Sequence, residues 1–257
     1  MKKFIDKLLH NPVSFEITSI FVYAFYCLIY AIAAIPAALL IRLGWRLDFL
    51  ESELLMLLIF ILICALAFYV FLVCAAVVVG FTERLLTHGL KPGEYPVGSP
   101  VFFRWLVYSG LHLWTVNLIL PFLRGNNWIK IYLRIAGAKI GKEVFVNSKH
   151  IYDAYLLEIG DKVIIGGEVF LNCHLFEDGS LILGRIKLGD GTTVGAKAYL
   201  PPDIITGKNC KIGMNTYLRR NTVINDGESI ITPPGMNIRQ VIRIMKAERK
   251  FEKRERE

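Results

Sequence analysis

The stretch Leu188–Gly213, LGDGTTVGAKAYLPPDIITGKNCKIG, decides the reading of this chain. It holds five glycines and two adjacent prolines, residues that break helices and weaken strands. Yet a marker side chain returns at every sixth position: Leu188, Val194, Leu200, Thr206, Ile212, Leu218 and Ile224. Small or modest residues recur four places after the markers, at Thr192, Ala198, Ile204, Cys210, Thr216 and Thr222. Neither a helix nor an ordinary sheet repeats in six. A parallel β-helix does, each hexad making one flat face and a turn. The marker then points into a narrow prism, and neighbouring coils bury one another's interiors. Gly189, Gly195, Gly207 and Gly213 follow four markers and, with asparagine, are expected to supply the angles of tight corners.

The same pattern appears upstream in other phases, at Ile159, Ile165 and Leu171 and at Ile140 and Val146. The slips between residues 146 and 159 and between 171 and 188 predict two departures from the regular coil. Loops that leave a solenoid are where function concentrates.

The N-terminal part has a different composition. Over the 257 residues 54% are hydrophobic, and they are concentrated before about residue 82. No charge occurs from Ile17 to Ile41 or from Leu54 to Thr82. Each run exceeds the roughly 20 apolar residues that cross a hydrocarbon layer of about 30 Å, and a backbone in lipid satisfies itself as a helix. Two spans are expected, the first kinked at Pro36; buried core helices and a cleaved leader are the competing readings. Lys2, Lys3 and Lys7 before the first span, and Arg84 and Lys91 after the second, outnumber Arg42 and Arg46 between them. The positive-inside rule therefore puts both termini in the cytoplasm, in a multi-pass cytoplasmic-membrane protein. KPGEYPVGSP interrupts the helix. VFFRWLVYSGLHLWTVNLILPFL follows, with Trp105, Tyr108 and Trp114 suited to headgroup level, either as interfacial helices or as a helical layer packed on the soluble part.

The net charge of +8 fits an anionic partner such as a membrane surface or a phosphate-bearing cofactor. No motif accompanies it that would point to nucleic acid. The tail from residue 236 carries much of this charge, with apolar residues at 238, 241, 242 and 245 on one helical face. Five scattered cysteines read as reduced thiols rather than a disulfide framework. The expected organisation is a transmembrane domain over 1–90, an interfacial helical connector over 91–134, the coil over 135–235 and a basic helix over 236–257.

The repeat resembles that of the hexapeptide-repeat transferases. The resemblance implies a mainly β, left-handed parallel β-helix, an acyl-coenzyme A donor and a homotrimer. Over residues 92–235 the segments WIKIYLRIAGAKIG, NCHLFEDG and IKLGDGTTVGAKAYLPPD are similar to the membrane-embedded C-terminal units of nonribosomal-peptide-synthetase-like proteins such as poly-lysine synthetase. Such units carry membrane spans, which implies a trimer with about six.

LNCHLFEDG, Leu171–Gly179, sits at a phase slip and gathers reactive side chains. Histidine titrates near neutrality, and a neighbouring carboxylate can set its tautomer. His174 is thus the candidate general base, with Glu177 or Asp178 beside it. Asn172 and His150 are candidate substrate contacts, His150 sharing its loop with Asp153. Cys173 reads as a core thiol. Gly195 and Ala196 are candidates to admit a pantetheine arm, and Lys197, Lys208 and Arg219 to meet its phosphates. No clustered third histidine favours a zinc site. The expected activity is transfer of an acyl group, from acetyl-coenzyme A, to a hydroxyl or amine of a lipid-linked or small-molecule acceptor. Amide formation from a carrier-bound aminoacyl thioester and a non-catalytic trimeric membrane scaffold are the alternatives.

Overall fold

In the computed structural model, which describes residues 12–45 and 52–231, the six-residue period becomes three parallel ladders. The first face stacks Lys139–Ile140, Leu157–Ile159, Ile186–Leu188, Ile204–Thr206 and Val223–Ile224. The second stacks Phe145–Val146, Ile164–Ile165, Thr193–Val194, Lys211–Ile212 and Ser229–Ile230. The third stacks Ile151–Tyr152, Phe170–Asn172 and Tyr199–Leu200, and Tyr217 continues it through a parallel bridge to Tyr199. Val194 pairs with Ile212 and Ile212 with Ile230, each three hexads on from the last. All seven markers from Leu188 to Ile224 are buried, as are Thr192, Ala198, Ile204, Cys210 and Thr216.

The corners differ from expectation in one respect. Left-handed backbone falls on Lys197, Asp203, Asn209, Asn215 and Asn221, and on Gly191, not on the glycines that follow the markers. Those glycines answer a steric demand instead. A Cβ at Gly195 would lie 2.5 Å from the Met214 amide nitrogen of the next coil. The coils stack backbone on backbone at that edge, so no side chain fits between them.

Both departures from the coil are present. The second is an arm: His174–Glu177 turns back antiparallel to Ser180–Leu183, and Gly93–Pro96 from the Pro/Gly-rich junction adds a third antiparallel strand. The first holds a short 3-10 turn, Ala154–Leu156, entered through Asp153 with φ 58°.

Helix α1 spans Pro12–Gly44 with Pro36 inside it, and α2 spans Glu53–Thr87. Both are long and apolar enough to cross a membrane. Large side chains such as Phe21, Leu28, Leu39, Leu58, Leu62 and Phe68 face outward along them, as lipid requires and water opposes. Ser52 caps α2, its Oγ accepting from the Leu55 amide. Lys2, Lys3, Lys7, Arg46 and the basic tail lie outside the described residues.

Beyond Ala75 the environment of α2 changes. Ala75, Ala76, Val79, Gly80, Glu83 and Thr87 form one buried face packed on α3 (Pro100–Leu118) and α5 (Asn127–Ile135); a single turn, α4 (Leu120–Leu123), joins those two. Ser99 and Asn126 cap α3 and α5 through the Phe102 and Trp128 amides. One apolar core runs from α2 through α3 and α5 into the coil. Of the two readings of this segment, the helical layer packed on the soluble part is the one observed: Trp105 and Tyr108, suited by type to headgroup level, are buried in this core, 3% and 2% exposed. They point at the coil because α3 lies directly on it. Trp114 packs on Tyr23, Tyr26 and Tyr30 of α1.

At this seam sits a buried polar cluster. His112 Nδ1 is 3.1 Å from Glu83 Oε1, and Tyr132 donates to Glu83 Oε2 at 2.6 Å. His112 Nε2 lies 2.8 Å from the Ile151 carbonyl oxygen. A carbonyl only accepts and so does a carboxylate, so both imidazole nitrogens carry hydrogen. Burial opposes the charge, but Glu83, with Asp153 and the Ile151 carbonyl adding to it, holds the His112 imidazole above its ordinary value.

Two outcomes follow for stability. Gly195→Val is expected to cost about 1–3 kcal/mol by overpacking, read as a lowered denaturant midpoint, whereas Lys197→Gly at the left-handed corner is tolerated. His112 gains its charge on folding, so its contribution is complete below the ordinary value of 6.5 and is lost as pH rises through the raised one. The thermal midpoint of the wild type should therefore fall across that alkaline limb more than that of His112→Gln.

Candidate active site

The arm begins at His174, which follows the third-face strand Phe170–Asn172 and meets the Asp153 turn. Its Nδ1 is 2.5 Å from Oδ2 of Asp153; the imidazole side chain is 18% exposed and the carboxyl 1%. The carboxylate accepts, so hydrogen resides on Nδ1; in the neutral ring the lone pair is then on Nε2. Trp105 packs edge-on to the imidazole with ring centres 4.8 Å apart, and Tyr152 flanks it at 6.0 Å. Trp105 Nε1–H also donates to Asp153 Oδ1 at 2.9 Å, and the Asp153 amide donates to Tyr108 Oη at 3.0 Å. Every polar atom of this aspartate side chain thus has a partner, as a buried carboxylate needs.

The carboxylate beside His174 is therefore Asp153, not Glu177 or Asp178. Along a strand, successive side chains point to opposite faces, and Glu177 lies at the far end of the arm strand, paired with Arg220 at 3.3 Å. Asp178 and Gly179 are the two central residues of the hairpin turn, with φ 48° and 74°. Asp-Gly with positive φ at both positions is the sequence of such a turn, and that signal was available in EDGS.

Asn172 Nδ2 donates to the His174 carbonyl at 2.9 Å and lies 3.3 Å from Tyr199 Oη. The carbonyl partner fixes the amide orientation, which leaves Oδ1 buried without a hydrogen bond. His150 does not meet His174. Its Nε2 is 2.9 Å from Glu168 Oε2, and its ring stacks on Phe170 at 4.2 Å. Glu168 also accepts from Arg124 at 2.6 Å. Burial works against that carboxylate, yet His150 and Arg124 hold it below its ordinary range. Cys173 points into the coil, where burial and then the nearby Asp153 push its thiol well above the usual range.

The residues considered for a cofactor stand apart within one chain. Gly195, Ala196 and Lys197 occupy the corner between second and third faces, Lys208 that between first and second, and Arg219 that between third and first. Lys208 pairs with Asp190 at 3.4 Å. Arg219 and Arg220 line a cleft of about 610 Å³ with Leu175, Phe176, Tyr199 and Tyr217, the two tyrosines stacked in parallel at 4.6 Å. Sequence reasoning did not single out Asp153, Trp105, Tyr108 or the two tyrosines as parts of a site.

A coil of six-residue faces, three to a turn, an Asp–His pair at its irregular turns and an apolar helical layer on one side define the class: a hexapeptide-repeat parallel β-helix joined to helices of membrane-spanning length. In sequence the chain is homologous to part of the δ-poly-L-ornithine synthetase of Acinetobacter baumannii, 34% identical over 163 residues. That alignment covers 62% of this chain and 12% of the synthetase, so the chain spans a small part of that relative's length. It is also 24% identical over 139 residues to the putative colanic acid biosynthesis acetyltransferase WcaF of Escherichia coli, covering 48% of this chain and 68% of that one. Among solved structures, a maltose O-acetyltransferase from Clostridium difficile superposes with a TM-score of 0.44 and 18% identity over 59% of this chain and 93% of that one. No family model matches the chain.

Because Cys173 is buried with its thiol pushed upward, a polar maleimide is expected to leave it unlabelled in the folded protein. Peptide mapping before and after denaturation checks this; labelling of the native protein at that position would contradict the packing.

Proposed function

We propose that this chain is an integral membrane acyltransferase, built on a left-handed coil, that moves an acyl group from a coenzyme A thioester to a hydroxyl or amine of a membrane-associated acceptor. Acetyl-coenzyme A is the donor we favour. The carrying observation is the Asp153–His174 pair: a partly exposed imidazole whose Nδ1–H is tied to a carboxylate, which in the neutral ring leaves the lone pair on Nε2. That is the arrangement of a general base.

When bound, the thioester supplies an activated acyl carbon and a thiolate leaving group. His174 Nε2 takes the proton from the acceptor's hydroxyl or amine as that oxygen or nitrogen bonds to the acyl carbon. The imidazolium, stabilised by Asp153, returns the proton to sulfur as the carbon–sulfur bond breaks. Asn172 Oδ1, buried and without a partner, is suited to accept a hydrogen bond from the acceptor. Backbone amides support the developing oxyanion.

The cleft beneath the arm fits a long donor that carries phosphates and a planar base. It offers the stacked Tyr199 and Tyr217 and two guanidinium groups, Arg219 and Arg220. Lys197 and Lys208 are proposed to join it from neighbouring copies of a homotrimer, whose crevices would hold the reacting groups. Two spans, α1 and α2, hold this machinery at the bilayer, which is why a lipid-borne acceptor is favoured. The transmembrane part to residue 90, the helical connector and the coil from residue 135 are the working division.

A second reading has its own support. The likeness to part of a poly-ornithine synthetase favours amide formation from a carrier-bound aminoacyl thioester, and the same base would serve.

Membranes containing the chain, given acetyl-coenzyme A labelled in the acetyl group, should pass label into an extractable acceptor. His174→Ala and Asp153→Asn should each reduce transfer by about 10²- to 10⁴-fold with the oligomer unchanged in mass. Label that passes only from a loaded carrier protein favours the second reading, and transfer indifferent to His174→Ala refutes both.

A further inference from the structure

The partners of Asp153 come from two layers of the protein. The coil contributes His174, and helix α3 contributes both other contacts: Trp105 Nε1 on Oδ1 and Tyr108 Oη on the backbone amide. This grip matters because the left-handed backbone of Asp153, φ 58° and ψ 54°, recurs at other corners of the coil and does not by itself fix where a side chain points. Here the carboxylate turns inward, to 1% exposure, between the imidazole and the indole. His174 holds one carboxylate oxygen, and the other is held from α3 by Trp105.

Helix α3 is itself pinned at the same level. His112, one turn beyond Tyr108, holds the Ile151 carbonyl at 2.8 Å, two residues before Asp153, while its other nitrogen faces Glu83 of α2. Tyr108 and His112 stack at 5.7 Å. A continuous set of contacts thus runs from the second apolar helix, through α3, to the residue that orients the imidazole.

We infer that Trp105 and Tyr108 are positioning residues for His174, and that the Glu83–His112 pair registers them, so that the apolar helical layer is part of the base's machinery as well as its anchor. The inference rests on His174 being the base, but its geometry is testable without turnover. An imidazole free in water favours hydrogen on Nε2; one held by Asp153 keeps it on Nδ1.

The full chain in lipid nanodiscs, with ¹⁵N-labelled histidine and His174→Gln for assignment, reports that tautomer by nuclear magnetic resonance above the imidazole's titration. The wild type should show hydrogen on Nδ1. Trp105→Phe, which keeps an aromatic ring and removes the donor, should move His174 to a mixture of tautomers. Where acetyl transfer is measurable, kcat should fall by about 10- to 100-fold with KM for acetyl-coenzyme A unchanged. Trp114→Phe, on the same helix but packed on α1, should alter neither reading. If Trp105→Phe does not fold, Tyr108→Phe is read in its place, with the same expectation. A His174 tautomer unmoved by the folded variant overturns the inference. A tautomer that moves while wild-type membranes transfer no acyl group upholds the positioning and refutes the acyltransferase reading instead.

Discussion

A carboxyl group buried to 1% exposure needs partners for each oxygen, and Asp153 takes one from the coil and one from the helical layer. Leaving such a group unpaired costs several kcal/mol, so the aspartate constrains both layers at once. The arm must bring His174 to one oxygen, and α3 must lie close enough for the Trp105 indole to reach the other. Asp153 has the left-handed backbone found at other corners of the coil, and the 3-10 turn after it returns the chain to the coil.

The helical layer is consequently more than a tether. Small residues along α2, from Ala75 to Gly80, admit α5 so closely that a Cβ at Gly80 would touch Tyr132 and Ile135 at 3.2 Å. The approach seals Glu83, His112 and Tyr132 from solvent. A buried ion pair adds little net stability compared with apolar packing, but it is sensitive to register. In this protein it ties the inner end of an apolar helix to the strand that precedes Asp153.

The coil was legible because its signal is local and repeated. Each marker, from Leu188 to Ile224, is recognised by its six-residue spacing from the next, and the slips near residues 146–159 and 171–188 announced the Asp153 turn and the arm. The arm's third strand, Gly93–Pro96, was not legible, since it pairs with residues far along the chain. His174 stood out as a lone histidine in an irregular segment. Its partner did not: Glu177 and Asp178 are nearer in sequence, but the strand carries one to the far end of the arm and the turn claims the other. Trp105 and Tyr108 fitted two readings because an aromatic at headgroup level and one buried under a coil look alike in composition.

What the sequence by itself determined was periodicity: a six-residue coil, two apolar helices of spanning length, and the places where the coil breaks. These follow from residue spacing, which neighbours along the chain enforce. The tertiary structure alone decided which carboxylate faces the imidazole, which rings enclose it and which helix grips it. Those choices depend on contacts between residues tens of positions apart, which meet only after folding.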